Sequence, residues 1–99
     1  MTTEDKEKVI RPWIDPQERV TVRFLDEQGV SAQVTDCNDA LVTLSIETRV
    51  PYMNQHTSIP LSQVELSEDL SHYTRDPDRP LARRRLMLVV HENRPPIIY

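Results

Sequence analysis

Apolar and polar residues alternate in two adjacent runs near the start of the chain. Val20, Val22 and Phe24 are interleaved with Arg19, Thr21 and Arg23, and Val30, Ala32 and Val34 with Ser31, Gln33 and Thr35. A period of two places one set of side chains on each face of a strand, so both runs read as half-buried β-strands. The intervening DEQG ends in Gly29, the only glycine of the chain. That position predicts a hairpin in which glycine supplies a positive φ. DCNDA (36–40) reads as the next turn, because Asp and Asn side chains bond to nearby backbone. LVTLSIET then alternates Val42, Leu44 and Ile46 with Thr43, Ser45 and Glu47, which predicts a third strand antiparallel to the second.

The pattern weakens beyond residue 48. Pro51 ends a strand or places it at an edge. Ile59 and Leu61 alternate, but the step from Leu61 to Val64 breaks the period and predicts one helical turn at LSQV. SEDLSHYTRDPDRP (67–80) is polar and holds Pro77 and Pro80. It reads as a loop, with Ser67, Glu68 and Asp69 suited to capping a short helical turn. LMLVV (86–90) is a continuous apolar run of strand length, the pattern of a strand covered on both faces.

The fold class expected is mostly β: a small antiparallel meander closing into an SH3-like or similar small barrel, with extended N- and C-terminal tails. Closure removes exposed sheet edges. A helix-poor α+β fold is the second choice. Residues 1–18 read as a partly disordered N-terminal arm, because TTEDKEK is charged and Pro12 and Pro16 interrupt any long helix. Residues 19–90 read as a single β domain. Residues 91–99 read as an extended C-terminal tail, since the double proline of HENRPPIIY favours extended backbone.

Composition narrows the function. The chain has 99 residues and one cysteine, Cys37, so its fold does not depend on an internal disulfide. No apolar run approaches the ~18 residues of a membrane span, and the opening MTTEDKEK is not signal-like. A cytoplasmic protein with no membrane partner is the default. The net charge of −4 opposes general nucleic-acid binding. It is uneven, however: the C-terminal third is the one part with a positive balance.

That part holds the main candidate site. Arg79, Arg83, Arg84 and Arg85 fall within seven positions, directly before the apolar run. Guanidinium forks that share a strand face suit a phosphate or paired carboxylates. RPLAR (79–83) resembles the R-x-x-x-R element of the PilZ family of cyclic-dinucleotide receptors. The D-x-S-x-x-G element expected after it has no counterpart here, and the resemblance is not adopted. The competing reading pairs these arginines with Glu68, Asp69, Asp76 and Asp78.

Other chemistry is sparse. His56, His72 and His91 are 16 and 19 residues apart and form no zinc pattern with Cys37. Asp36 and Asp39 flank Cys37 and raise a thiol's pKa, the opposite of activation. No serine has a glycine-flanked elbow, and one glycine cannot build a phosphate-cradling loop. No enzyme activity, cofactor or metal is expected.

Partner contacts are expected instead. Trp13 lies among apolar residues in the N-terminal arm, Tyr73 in the arginine-bearing loop, and Ile97, Ile98 and Tyr99 end the chain. Apolar tails of this kind order by packing on another surface. The function expected is a non-enzymatic binding or accessory module acting through protein–protein contacts, self-association among them. The alternative is an anion receptor for a nucleotide or nucleic-acid phosphate, centred on residues 79–85. A protein partner or homo-oligomer ranks first, a phosphate-bearing ligand second, nucleic acid last.

Overall fold

The computed structural model describes residues 1–14, 18–50, 53–69 and 85–97. They form a mostly β fold: one six-stranded mixed sheet and one short helix. The strands are β1 (Val20–Arg23), β2 (Val30–Cys37), β3 (Leu41–Ile46), β4 (Gln55–Pro60), β5 (Val64–Asp69) and β6 (Arg85–Val90), in the order β4-β3-β2-β1-β6-β5. The first four make the expected antiparallel meander, with Val20 opposite Ala32, Val34 opposite Leu44 and Val42 opposite Ile59. β6 pairs parallel with β1 and antiparallel with β5.

Alternation puts Val20, Val22, Val34, Leu44, Ile46, Leu88 and Val90 on one face, each at most 1% exposed. Each fully buried Val, Leu or Ile side chain contributes about 1.5–3 kcal/mol. A bulge between Val34 and Asp36 resets the alternation, so Cys37 returns to the buried face opposite Val42. Asn38 makes the following turn as expected, its Oδ1 accepting the N–H groups of Ala40 and Leu41 at 2.8 Å.

The sheet is open in its pairing, with β4 and β5 as its edges. Yet only a 3-10 turn, Leu61–Gln63, joins these two strands. Outer strands of a flat six-stranded sheet stand about 24 Å apart, whereas three linking residues reach about 14 Å at most. The sheet therefore curls strongly, and its apolar face wraps on itself around Leu61, which is fully buried.

Four expectations change. Residues 3–10, read as part of a charged arm, form helix α1 (Thr3–Ile10), capped by Thr2, whose Oγ1 accepts the Asp5 N–H at 3.2 Å. The helix stops as Pro12 enters a second 3-10 turn, Arg11–Trp13. Ile10 is fully buried, Lys6 donates to the Leu61 carbonyl at 2.8 Å, and Arg11 donates to the Cys37 carbonyl at 2.6 Å. One apolar side chain and two cations thus hold α1, not an apolar stripe. Second, Ser67, Glu68 and Asp69 do not cap a helical turn. They extend β5 opposite Met87, Leu86 and Arg85. Third, β6 is fully buried on one face only: Leu86, Leu88 and Val90 are buried while Met87 and Val89 are half-buried. Fourth, the φ of Gly29 lies outside the left-handed region. Its role is steric, because a Cβ there would stand 2.8 Å from Thr21 Cγ2.

Candidate functional site: the sheet edges and the Arg94 clasp

In an antiparallel ladder, alternate residues turn their backbone groups toward the neighbouring strand. The Leu61 N–H donates to the Ala40 carbonyl at 2.9 Å, which fixes the phase on β4. Gln55, Thr57 and Ile59 bond inward to β3, while His56, Ser58 and Pro60 direct their backbone outward. Pro60 therefore lacks an N–H that the β3–β4 ladder never uses, which is why a proline fits in this strand. On β5 the same phase follows from the His91 N–H, which donates to the Gln63 carbonyl at 2.9 Å. Leu66 is then the central outward-facing residue of that edge.

The two edges differ in charge. β5 carries Glu65, Glu68 and Asp69 within six residues, whereas β4 carries no charged residue. The uncharged stretch around β4 runs from Val50 to Val64 in a chain that is 28% charged, so it is a local feature of this edge. Val50 and Met53 are 39% and 45% exposed at one end of β4, and Leu41, paired with Pro60, is 40% exposed at the other. On the outer face Thr43 and Ser58 share a hydroxyl–hydroxyl hydrogen bond of 3.0 Å.

The C-terminal segment clasps the start of β4. Arg94 Nε donates to Gln55 Oε1 at 2.8 Å and its Nη1 to Glu27 Oε1 at 2.9 Å. The Arg94 backbone N–H reaches Asp26 Oδ1 at 3.1 Å, and Gln55 Nε2 donates to the Pro95 carbonyl at 2.8 Å. The Arg94 side chain is 12% exposed, and its Nη2 is buried with no partner among the described residues. The clasp joins three distant parts of the chain: the β1–β2 loop, the first residue of β4 and the tail.

Along β5 lies a cleft of about 370 Å³, walled by Met1 and Lys6 on one side and by Val64, Leu66 and His91 on the other. His91 Nε2 and Glu65 Oε2 stand 3.1 Å apart, both more than half exposed.

Of the residues singled out from the sequence, Trp13 is half-buried against the apolar core, Arg85 opens β6, and Ile97 is 37% exposed. Arg85 Nη1 donates to Ser31 Oγ at 3.2 Å. Arg79, Arg83, Arg84, Tyr73, Ile98 and Tyr99 lie outside the described residues, as do His72, Asp76 and Asp78. The arginine cluster is thus represented by Arg85 alone. The Arg94 clasp and the uncharged β4 edge were not anticipated. Their only signals in the sequence are an arginine set before two prolines and a gap in the charge pattern.

Burial pushes the Cys37 thiol up, the Glu7 and Asp36 carboxylates add in the same direction, and Arg11 opposes them. The direction agrees with the sequence reading, but burial leads rather than the flanking acids. A buried thiol with a raised pKa is of the unreactive kind. Among the described residues no group of three His, Cys, Asp or Glu could hold a metal, and no helix is long and apolar enough to cross a membrane. No protein-family model, curated protein or solved structure matches this chain.

Proposed function

We propose that this chain is a non-enzymatic binding or accessory module that works through protein–protein contacts, self-association among them. The observation that carries this reading is the β4 edge, whose outward N–H and C=O groups at His56 and Ser58 have no partner among the described residues. Edge strands are templates for strand addition, and proteins usually blunt them with charge. β5 has that protection and β4 does not. The same reading takes the curl of the sheet as that of an SH3-like or similar small barrel, and places the contact in the cytoplasm.

A photo-crosslinking residue at position 58, compared with one at Glu4 on exposed α1, tests the reading in cells. Discrete protein adducts from position 58 and none from position 4 are expected. Equal labelling from both positions, or none from 58, overturns it.

The second reading is an anion receptor centred on Arg79, Arg83, Arg84 and Arg85. What favours it is that Arg85, half-buried at the start of β6, engages Ser31 through one guanidinium nitrogen. Thermal unfolding against nucleotides, cyclic dinucleotides and short DNA and RNA tests it. A ligand at 100 times its dissociation constant adds about 2.7 kcal/mol, a rise of about 10 °C or more in a domain this small. The rise should vanish in the Arg83→Ala, Arg85→Ala double variant.

A further inference from the structure

We infer that β4 pairs with β4 of a second copy of this chain, antiparallel about a two-fold axis at Thr57, joining two six-stranded sheets into one. This rests on the protein-contact reading above and names its partner.

Charge comes first. Two-fold pairing sets an edge against itself, so any charge on the edge meets its own kind. β5, with Glu65, Glu68 and Asp69, would repel its copy, whereas β4 lies in the stretch from Val50 to Val64 that holds no Asp, Glu, Lys or Arg. None of the acids and bases that set the chain's net charge of −4 lies on β4 itself.

The backbone phase selects the register. Only His56, Ser58 and Pro60 direct their backbone groups outward, so the hydrogen-bonded pairs of a β4–β4 ladder come from these residues. A two-fold axis at Ser58 would set His56 against Pro60 twice and leave one bond unmade in each pair, because proline has no N–H to give. An axis at Thr57 sets His56 against Ser58 twice, and each pair exchanges two N–H···O=C bonds. Pro60 then falls outside the ladder. The side chains agree with this register. Thr57 is only half-buried at the margin of the apolar face, and the axis brings two copies of it together there. At each end of the seam, exposed Val50 and Met53 of one copy approach the end of β4 where Leu41 and Pro60 of the other are exposed.

The test is the solution mass of the full chain by analytical ultracentrifugation across a concentration series, followed by disulfide trapping. The expected result is an equilibrium between 11.6 kDa and twice that mass. Ser58→Lys and His56→Pro should each weaken dimerisation by about tenfold or more. Both keep the inward β3–β4 bonds, and Ser58→Lys changes an exposed side chain that should leave folding intact. In the second measurement Thr57→Cys should form an intermolecular disulfide under mild oxidation, because opposed non-hydrogen-bonded residues have Cα atoms about 4.5 Å apart. Ser58→Cys, displaced two residues from its own copy, should not. The chain's own Cys37 is buried and does not compete.

A single-chain mass at every concentration overturns the pairing but leaves the protein-contact reading to its own crosslinking test. A dimer indifferent to both variants, a disulfide at Ser58→Cys but not at Thr57→Cys, or a mass above two chains overturns it as well. The last would signal β4 pairing with β5 head to tail.

Discussion

β4 and β5 each hydrogen-bond to one neighbour and set one row of side chains against the same core. Ile59 on β4 and Val64 on β5 are buried to the same degree, at 3% and 1% exposure. Their outer surfaces have little else in common. β5 is acidic, is flanked by a cleft, and its hydrogen-bonded contact from Glu65 to His91 stands in solvent. β4 is uncharged, and its first residue is gripped by a largely buried arginine. Burial on the core side thus says little about what an edge does on its open side. Charge on the strand and anchoring at its ends make that difference.

The widest contrast should come from truncating the buried row. Ile59→Ala should lower stability by about 2–5 kcal/mol in urea unfolding, the range for a large aliphatic removed from a core. Leu66→Ala, at a half-buried position of β5, should cost about 1–2 kcal/mol. Equal losses would mean that Leu66 is as fully enclosed as Ile59.

The contacts of Arg94 and of Glu65 make the next contrast. Arg94→Ala leaves the Gln55 amide and the Glu27 carboxylate without their donor, so a loss of about 1–3 kcal/mol is expected. Glu65→Ala removes an exposed pair and should change stability by about 1 kcal/mol or less. Thermal midpoints of the two variants, measured side by side, decide whether the clasp is structural.

The smallest effect is kinetic. The outward amides of Ser58 and Leu66 should both exchange rapidly with deuterium in dilute protein, since neither bonds within the sheet. With rising concentration Ser58 should slow while Leu66 does not. Equal slowing at both edges would remove the asymmetry on which the pairing at Thr57 depends.

How much of this could be read from the sequence follows from which forces leave a local trace. β1, β2 and β3 have clean alternation, and Asn38 marks its turn, so the meander was legible. The 3-10 turn at Leu61–Gln63 was legible from one broken step in the pattern. α1 was not, because Ile10 alone enters the core, and only the Thr2 cap with Asp5 three residues on marked its start. β5 was hidden by its own acids: Ser67, Glu68 and Asp69 are extended because β6 lies beside them, a partner some twenty residues away in sequence. Gly29 drew a turn-type explanation where the real constraint was the methyl of Thr21 across the hairpin. The Arg94 clasp joins residues 39 and 67 positions apart and leaves no periodic trace. The arginine cluster was the strongest sequence signal, and the described residues include only Arg85 from it.

The strand order has a consequence for synthesis. Among the described strands β6 is the last to leave the ribosome, yet it lies inside the sheet, parallel to β1 and between β1 and β5. Until residues 85–90 emerge, β1 has a bare edge and β5 has no partner. Before residues 85–90 emerge, the nascent chain therefore carries an open seam in this sheet, lined by Val20 and Val22 on one side and Val64 on the other. Unpaired strand edges of this kind are what chaperones guard and aggregates recruit. A chain cut before residue 85 would be left as a meander with an apolar, half-built sheet. The step that completes the described sheet is the insertion of β6 into a gap that β1 and β5 have held open.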